Sequence, residues 1–147
     1  MAEPAAGSLP ELATVPWRPL ADEHGVDLVA ELDGPLPVRA APGRLTQVLD
    51  NPLANALEAS PPDGRVTMSA RAAAPWVELH LRDEGSGLSP EQRGRAFDRF
   101  WRAGSGDGGS GLGLAIVKRL VAADEGEVEL GEATGGGVDA VVRLRPA

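Results

Sequence analysis

Two glycine-rich turns that follow an asparagine-bearing helical stretch constrain this chain more than any other feature. Asp83-Glu84-Gly85-Ser86-Gly87 comes directly after an alternating, strand-like run. Gly109-Ser110-Gly111-Leu112-Gly113-Leu114 leads into an apolar helical run. Glycines in such turns take positive φ and let the backbone approach a ligand closely. Asn51 and Asn55 lie upstream of both turns. In this order the three features suit a nucleotide site.

The surrounding pattern predicts a two-layer α/β sandwich with about five or six strands, mostly antiparallel, and three main helices. Val26, Leu28, Ala30 and Leu32 alternate with polar neighbours and read as a strand, which Gly34-Pro35 ends. Val38 to Ala40 reads as a further short extended piece. A helix is expected from about Gly43 to Ala59. Leu45, Val48, Leu49, Leu53, Ala56 and Leu57 fall on one face of it, and Gln47, Asn51, Asn55 and Glu58 on another.

Pro61-Pro62-Asp63-Gly64 then stops the helix. Val66, Met68, Ala70 and Val77, Leu79, Leu81 predict a hairpin turning at Ala72–Pro75. Ser89-Pro90-Glu91 predicts a capped helix running to about Phe100. Leu112–Ala123 is apolar enough to predict a buried helix, followed by strands over Glu127–Leu130 and Asp139–Leu144. Residues 1–20 hold four prolines and read as a lead-in or linker, leaving 21–147 as one domain.

Asn51 and Asn55, four apart, share a helix face. A carboxamide oxygen is a hard neutral ligand suited to Mg²⁺. Taken alone, the pair reads as two solvated side chains. Asp83 at a strand end is a stronger signal, because a carboxylate there can accept from an exocyclic amine such as that of adenine. Gly109-x-Gly-x-Gly at a helix start offers free N–H groups to an anion. It is neither a dinucleotide fingerprint nor a P-loop, since its glycine spacing and lack of Gly-Lys-Ser/Thr fit neither.

Composition narrows the ligand. Lys+Arg number 14 against 22 Asp+Glu, a net charge of −8, which disfavours nucleic acid as a partner. Lys118 is the only lysine, so phosphate contacts fall to arginine, backbone N–H groups or a metal. No cysteine is present, which excludes disulfides and thiolate metal sites and fits a reducing cytoplasm. The first ten residues lack the pattern of a signal peptide.

The order Asn-x-x-x-Asn, Asp-x-Gly-x-Gly, Phe-x-Arg-Phe, Gly-x-Gly-Leu-Gly-Leu resembles the ATP-binding catalytic domain of sensor histidine kinases. These belong to the GHKL superfamily and have the Bergerat fold. The resemblance runs from about Asp22 to Pro146. It implies that Asn55 ligates a nucleotide-bound Mg²⁺, with Asn51 beside it as the second catalytic position. It implies that Asp83 binds the adenine amino group, with Gly85 and Gly87 lining the base pocket. Phe97-Asp98-Arg99-Phe100-Trp101-Arg102 looks like the box at the entrance of an ATP lid, and Arg99 or Arg102 would reach the phosphates. Gly109, Gly111, Leu112, Gly113 and Leu114 would complete the ATP site, and the short loop from Arg102 to Gly109 would be the lid.

The implied activity is transfer of the γ-phosphoryl of ATP to a histidine on a separate dimerisation and phosphoacceptor domain, serving a response regulator. The implied domain is cytoplasmic and monomeric when isolated, its parent often membrane-anchored. Hydrolysing relatives carry a glutamate where Asn51 stands, so water activation is expected to be poor.

Several residues depart from the family pattern. Neither His24 nor His80 matches a phosphoacceptor box, which implies a domain of a longer kinase, little active alone. Glu58 stands where many kinases have a phosphate-assisting lysine. Pro52 inside the helix predicts a kink. Asp124-Glu125 replaces a usual His-Gly, and Val138 and Ala140 replace a usual Thr and Phe. Glu58, Pro52 and Val138 leave one alternative, a degenerate module of the same fold that does not bind nucleotide productively; similar total length leaves another, a serine kinase of the anti-sigma-factor type, against which Asn51 and the full Phe97–Arg102 box count.

Overall fold

A computed structural model of the chain describes residues 18–32, 38, 44–98 and 113–146. Among the described residues nine elements follow one another: α1 Arg18–His24, β1 Asp27–Leu32, α2 Arg44–Ala59, β2 Arg65–Ala73, β3 Trp76–Arg82, α3 Pro90–Arg95, α4 Gly113–Ala123, β4 Glu127–Glu132 and β5 Val138–Leu144. The strands form one sheet in the order β1-β2-β3-β5-β4. β1 pairs parallel with β2, and the other three pairings are antiparallel. The expected two-layer sandwich is the observed one.

Alternation builds the core. Val66, Met68, Ala70 on β2 and Val77, Leu79, Leu81 on β3 point to one side of the sheet and are buried. They meet Val48, Leu49, Leu53, Ala56 and Leu57 of α2 and Val117 and Val121 of α4 in a single cluster. The apolar face read for α2 is the buried one, with Leu45 outside the described side chains. Pro52 is buried on the same helix, which continues through it to Ala59 as one element. Val38 is fully buried and forms an isolated bridge with Pro146.

Three elements differ from expectation. α1 was not anticipated and begins inside the segment read as lead-in. Pro19 is tolerated because it sits in the first turn, where its missing N–H leaves no bond broken. α1 ends in a Schellman motif, with Val26 N–H donating to Ala21 O at 2.9 Å and Gly25 N–H to Asp22 O at 3.1 Å, and Gly25 at φ +69°.

α3 ends at Arg95, five residues short of Phe100. Its N-terminus is the expected capping box, Ser89 Oγ accepting from Gln92 N at 3.1 Å and Gln92 Oε1 from Ser89 N at 2.8 Å. Its C-terminus tightens into i→i−3 bonds, Ala96 to Arg93 and Asp98 to Arg95, which cannot propagate an α-helix.

α4 is amphipathic rather than buried. Val117 and Val121 are buried, whereas Ile116 is 45% exposed and Lys118, Arg119, Ala122 and Ala123 are exposed. A two-layer sandwich covers only one side of each helix, so apolar composition alone overstates burial. No helix among the described residues is long and apolar enough to cross a membrane.

Candidate functional site

β3 is the central strand, and Asp83 is the first residue beyond it. Its side chain is only 7% exposed. Asp83 Oδ1 accepts from Gly85 N at 2.9 Å and from Val138 N at 3.1 Å. The Asp83 N–H donates to Val138 O at 3.0 Å. One carboxylate oxygen is thus fixed by two backbone donors, while Oδ2 takes no hydrogen bond among the described residues. Burial pushes the Asp83 carboxyl above its ordinary value, and the bonds from Val138 and Gly85 partly offset this.

The glycines of the first turn are required by contacts. A Cβ at Gly85 would lie 2.6 Å from the Ala59 carbonyl oxygen, so Gly85 lets the loop seat against the end of α2. Gly87 has φ +77°, and a Cβ there would lie 2.1 Å from Gly136 O. Glu84 ties the loop on its other side. Its N–H meets Ser60 Oγ at 3.4 Å, and its Oε1 accepts from Arg65 N at 3.0 Å. The Asp83 loop and the C-terminal end of the asparagine helix are therefore joined directly, as a shared site requires.

On α2, Asn51 is half-buried, and Asn55 and Glu58 are exposed. The uninterrupted helix keeps Asn51 and Asn55 one turn apart. Phe97 is half-buried, with Lys118 Nζ 5.7 Å from its ring centroid, a cation–π contact that ties the end of the α3 region to α4. Gly113 opens α4, and Leu114 is half-buried. Arg99, Phe100, Arg102, Gly109, Gly111 and Leu112 lie outside the described residues, as does the loop read as a lid.

The Gly135-Gly136-Gly137 turn between β4 and β5 also belongs here, although it stands in none of the motifs. Gly136 and Gly137 pack against Gly87 and Asp83. The signal available was the run of three glycines itself, but its target lies some fifty residues away in sequence.

The donor set fits Mg²⁺ held through a nucleotide. Asn55 offers an exposed neutral oxygen, and Asp83 Oδ2 stands without a hydrogen bond among the described residues. Among the described residues no group of three or more His, Cys, Asp or Glu is placed to hold a metal alone. A concavity of about 370 Å³ lies elsewhere, on the open face of the sheet, lined by Glu31, Ser69, Ala70, Arg71, His80 and Arg82. Three of its side chains pair with protein: Arg71 with Glu78, Arg82 with Asp139 and Ser69, His80 with Asp139 and Glu78. It contains none of the residues that the motifs single out.

Comparison with known proteins agrees with this geometry. The histidine kinase-, DNA gyrase B- and HSP90-like ATPase family matches residues 40–147. The sensor protein DivL of Caulobacter vibrioides is 43% identical over 114 residues, which is 77% of this chain and 15% of DivL. The sensor histidine kinase WalK of Bacillus subtilis is 36% identical over 116 residues, 74% of this chain and 19% of WalK. The chain thus spans less than a fifth of either relative.

Among solved structures, the mycobacterial sensor histidine kinase MprB superposes with a TM-score of 0.86 at 28% identity, covering 98% of each chain. Full-length ShkA in complex with AMPPNP gives a TM-score of 0.80 at 31% identity, covering 99% of this chain and 32% of ShkA. The sandwich is the Bergerat ATP-binding fold. The chain belongs to the histidine kinase-, DNA gyrase B- and HSP90-like ATPase family, as a catalytic domain of the sensor histidine kinase type.

Proposed function

We propose that this chain binds ATP with Mg²⁺ and donates the γ-phosphoryl group to a histidine on the dimerisation and phosphoacceptor domain of its kinase, upstream of a response regulator. The observation that carries the reading is Asp83: a buried carboxylate at the end of the central strand, one oxygen fixed by backbone and the other left for a ligand. A structural neighbour solved with AMPPNP supports the nucleotide.

In this reading ATP·Mg²⁺ supplies the transferable phosphoryl group and the charge of the metal. Asp83 Oδ2 accepts from the adenine amino group, and Gly85 and Gly87 let the backbone close around the base. Asn55 holds the metal, with Asn51 beside it. Arg99 or Arg102 serves the phosphates, together with the N–H groups of Gly109, Gly111 and Gly113. Phe97, Phe100, Leu112 and Leu114 shape the rim. The protein's work is positioning and charge stabilisation for in-line transfer. Asn51 cannot take a proton at neutral pH, so hydrolysis is slow. Glu58 is exposed, which screens its charge and limits its effect on the phosphates.

Residues 21–147 act as the catalytic domain, working as a monomer in the cytoplasm when separated from the rest of the kinase. Calorimetric titration with ATP, with and without Mg²⁺, alongside Asn55→Ala tests the reading. Mg²⁺-dependent binding lost in the variant is expected. A folded chain that takes up no ATP at millimolar concentration would sink it.

A further inference from the structure

We infer that Gly137, with the amide of Val138, is a positioning element that selects the 6-amino group of the base. The inference rests on the reading of Asp83 as the base acceptor and deepens it. A carboxylate has two equivalent oxygens and a free χ torsion, so burial alone does not decide which oxygen meets a ligand. Here the choice is made by the start of β5.

The N–H of Val138 holds Oδ1 at 3.1 Å, and the Val138 carbonyl takes the Asp83 N–H at 3.0 Å. This double link forms only because residue 137 has no side chain. A Cβ on Gly137 would lie 2.1 Å from the Asp83 carbonyl oxygen, 2.6 Å from Oδ1 and 2.8 Å from the Asp83 carbonyl carbon. Two of these three atoms are Asp83 backbone, so the clash falls on Asp83 as a whole. The third is the oxygen whose placement aims Oδ2.

The turn behind Gly137 is fixed as well. Ala133 N donates to Gly137 O at 2.7 Å, and Gly136 N to Ala133 O at 2.9 Å. The turn also backs the other wall of the pocket, since a Cβ on Gly87 would meet Gly136 O at 2.1 Å. Any atom added at 137 is therefore relieved by moving Asp83 rather than the turn. Moving Asp83 breaks its alignment with an amine while leaving phosphate and metal contacts on α2 and α4 untouched.

The test compares binding of ATP with that of purine riboside triphosphate, which differs only in lacking the 6-amino group. Wild-type chain, Gly137→Ala and Val138→Pro are titrated with both, with Gly131→Ala as a glycine control on β4, where the nearest atom to an added Cβ is 3.8 Å away. Val138→Pro deletes the N–H that holds Oδ1 and adds no Cβ at 137, so it decides the matter if Gly137→Ala does not fold. Wild type and Gly131→Ala are expected to prefer ATP by roughly tenfold, the worth of one hydrogen bond to a charged group. In Gly137→Ala and Val138→Pro the preference falls to within about twofold of unity, while purine riboside triphosphate binds nearly as in wild type.

A folded variant that keeps the wild-type preference, or loses both nucleotides equally, overturns the inference. A wild-type chain with no preference overturns the reading of Asp83 itself, and the two failures are thereby told apart.

Discussion

Glu78 and Arg143 face each other across the β3–β5 ladder, and Arg143 Nε donates to Glu78 Oε2 at 3.0 Å. Glu78 also meets His80 Nε2 at 3.2 Å and Arg71 at 3.3 Å, while Arg143 reaches Glu129 at 2.7 Å. Burial would raise the Glu78 carboxyl, but hydrogen bonds from His80, Arg143 and Arg71 outweigh it and hold the group below its ordinary value. A carboxyl lowered in the folded state adds stability above its unfolded pKa, and that stability is lost as pH falls through the folded value. Thermal melts of wild type should therefore decline as pH drops below the ordinary glutamate value of about 4.3. Glu78→Gln should melt lower at pH 7, by about 1 kcal/mol, and lose less on acidification. Parallel curves for the two proteins would refute this.

Asp83 has the opposite sign. Its carboxyl is raised by burial, so the ionised form costs folding free energy above the folded pKa, and that cost is absent below the unfolded value. Asp83→Asn keeps an oxygen for the Val138 and Gly85 amides and removes the buried charge. It should melt no lower than wild type at pH 7 while binding ATP at least tenfold more weakly. Differential scanning calorimetry with nucleotide titration checks both halves, and a variant that loses stability and binding together would contradict the assignment.

Glu125 occupies the left-handed position that closes α4, at φ +63°, where Gly126 N donates to Val121 O at 2.7 Å and Glu125 N to Ala122 O at 3.0 Å. A side chain there carries strain that glycine does not. Glu125→Gly is expected to raise stability by about 0.5–1 kcal/mol, the relief of strain less the added freedom of the unfolded chain. Urea denaturation at an unchanged m-value measures it, and a loss of stability would count against the geometry.

Leu79 is fully buried at the middle of the central strand. Leu79→Ala should cost about 2–5 kcal/mol by leaving a cavity under α2. A cost below about 1 kcal/mol in chemical denaturation would mean that the core closes around the gap.

Local chemistry made much of this legible in the sequence. Val77, Leu79 and Leu81 announce both the strand and its buried side, and Ser89-Pro90 announces a helix start, because each depends on neighbours within a few residues. α1 escaped notice because Pro19 reads as a breaker until the helix is seen to begin beside it. Ile116 was misjudged because exposure depends on which layer lies opposite, and no residue of α4 encodes that. Asp83 was found from its glycines, whereas Gly137 was not, since its partner is set by the pairing of β3 with β5. The roles of Arg99, Phe100, Arg102, Gly109, Gly111 and Leu112 rest on the motif.

The place of Asp83 at the end of β3 bears on how the domain fails. β3 is laddered on both sides, by β2 and by β5, and such a strand opens only when the whole sheet does. Asp83, to which the proposed function gives the base, therefore shares the full unfolding free energy of the domain. On warming, the proposed base selectivity should hold steady until the cooperative transition and then vanish with it, leaving no half-melted form of the domain that takes the wrong base.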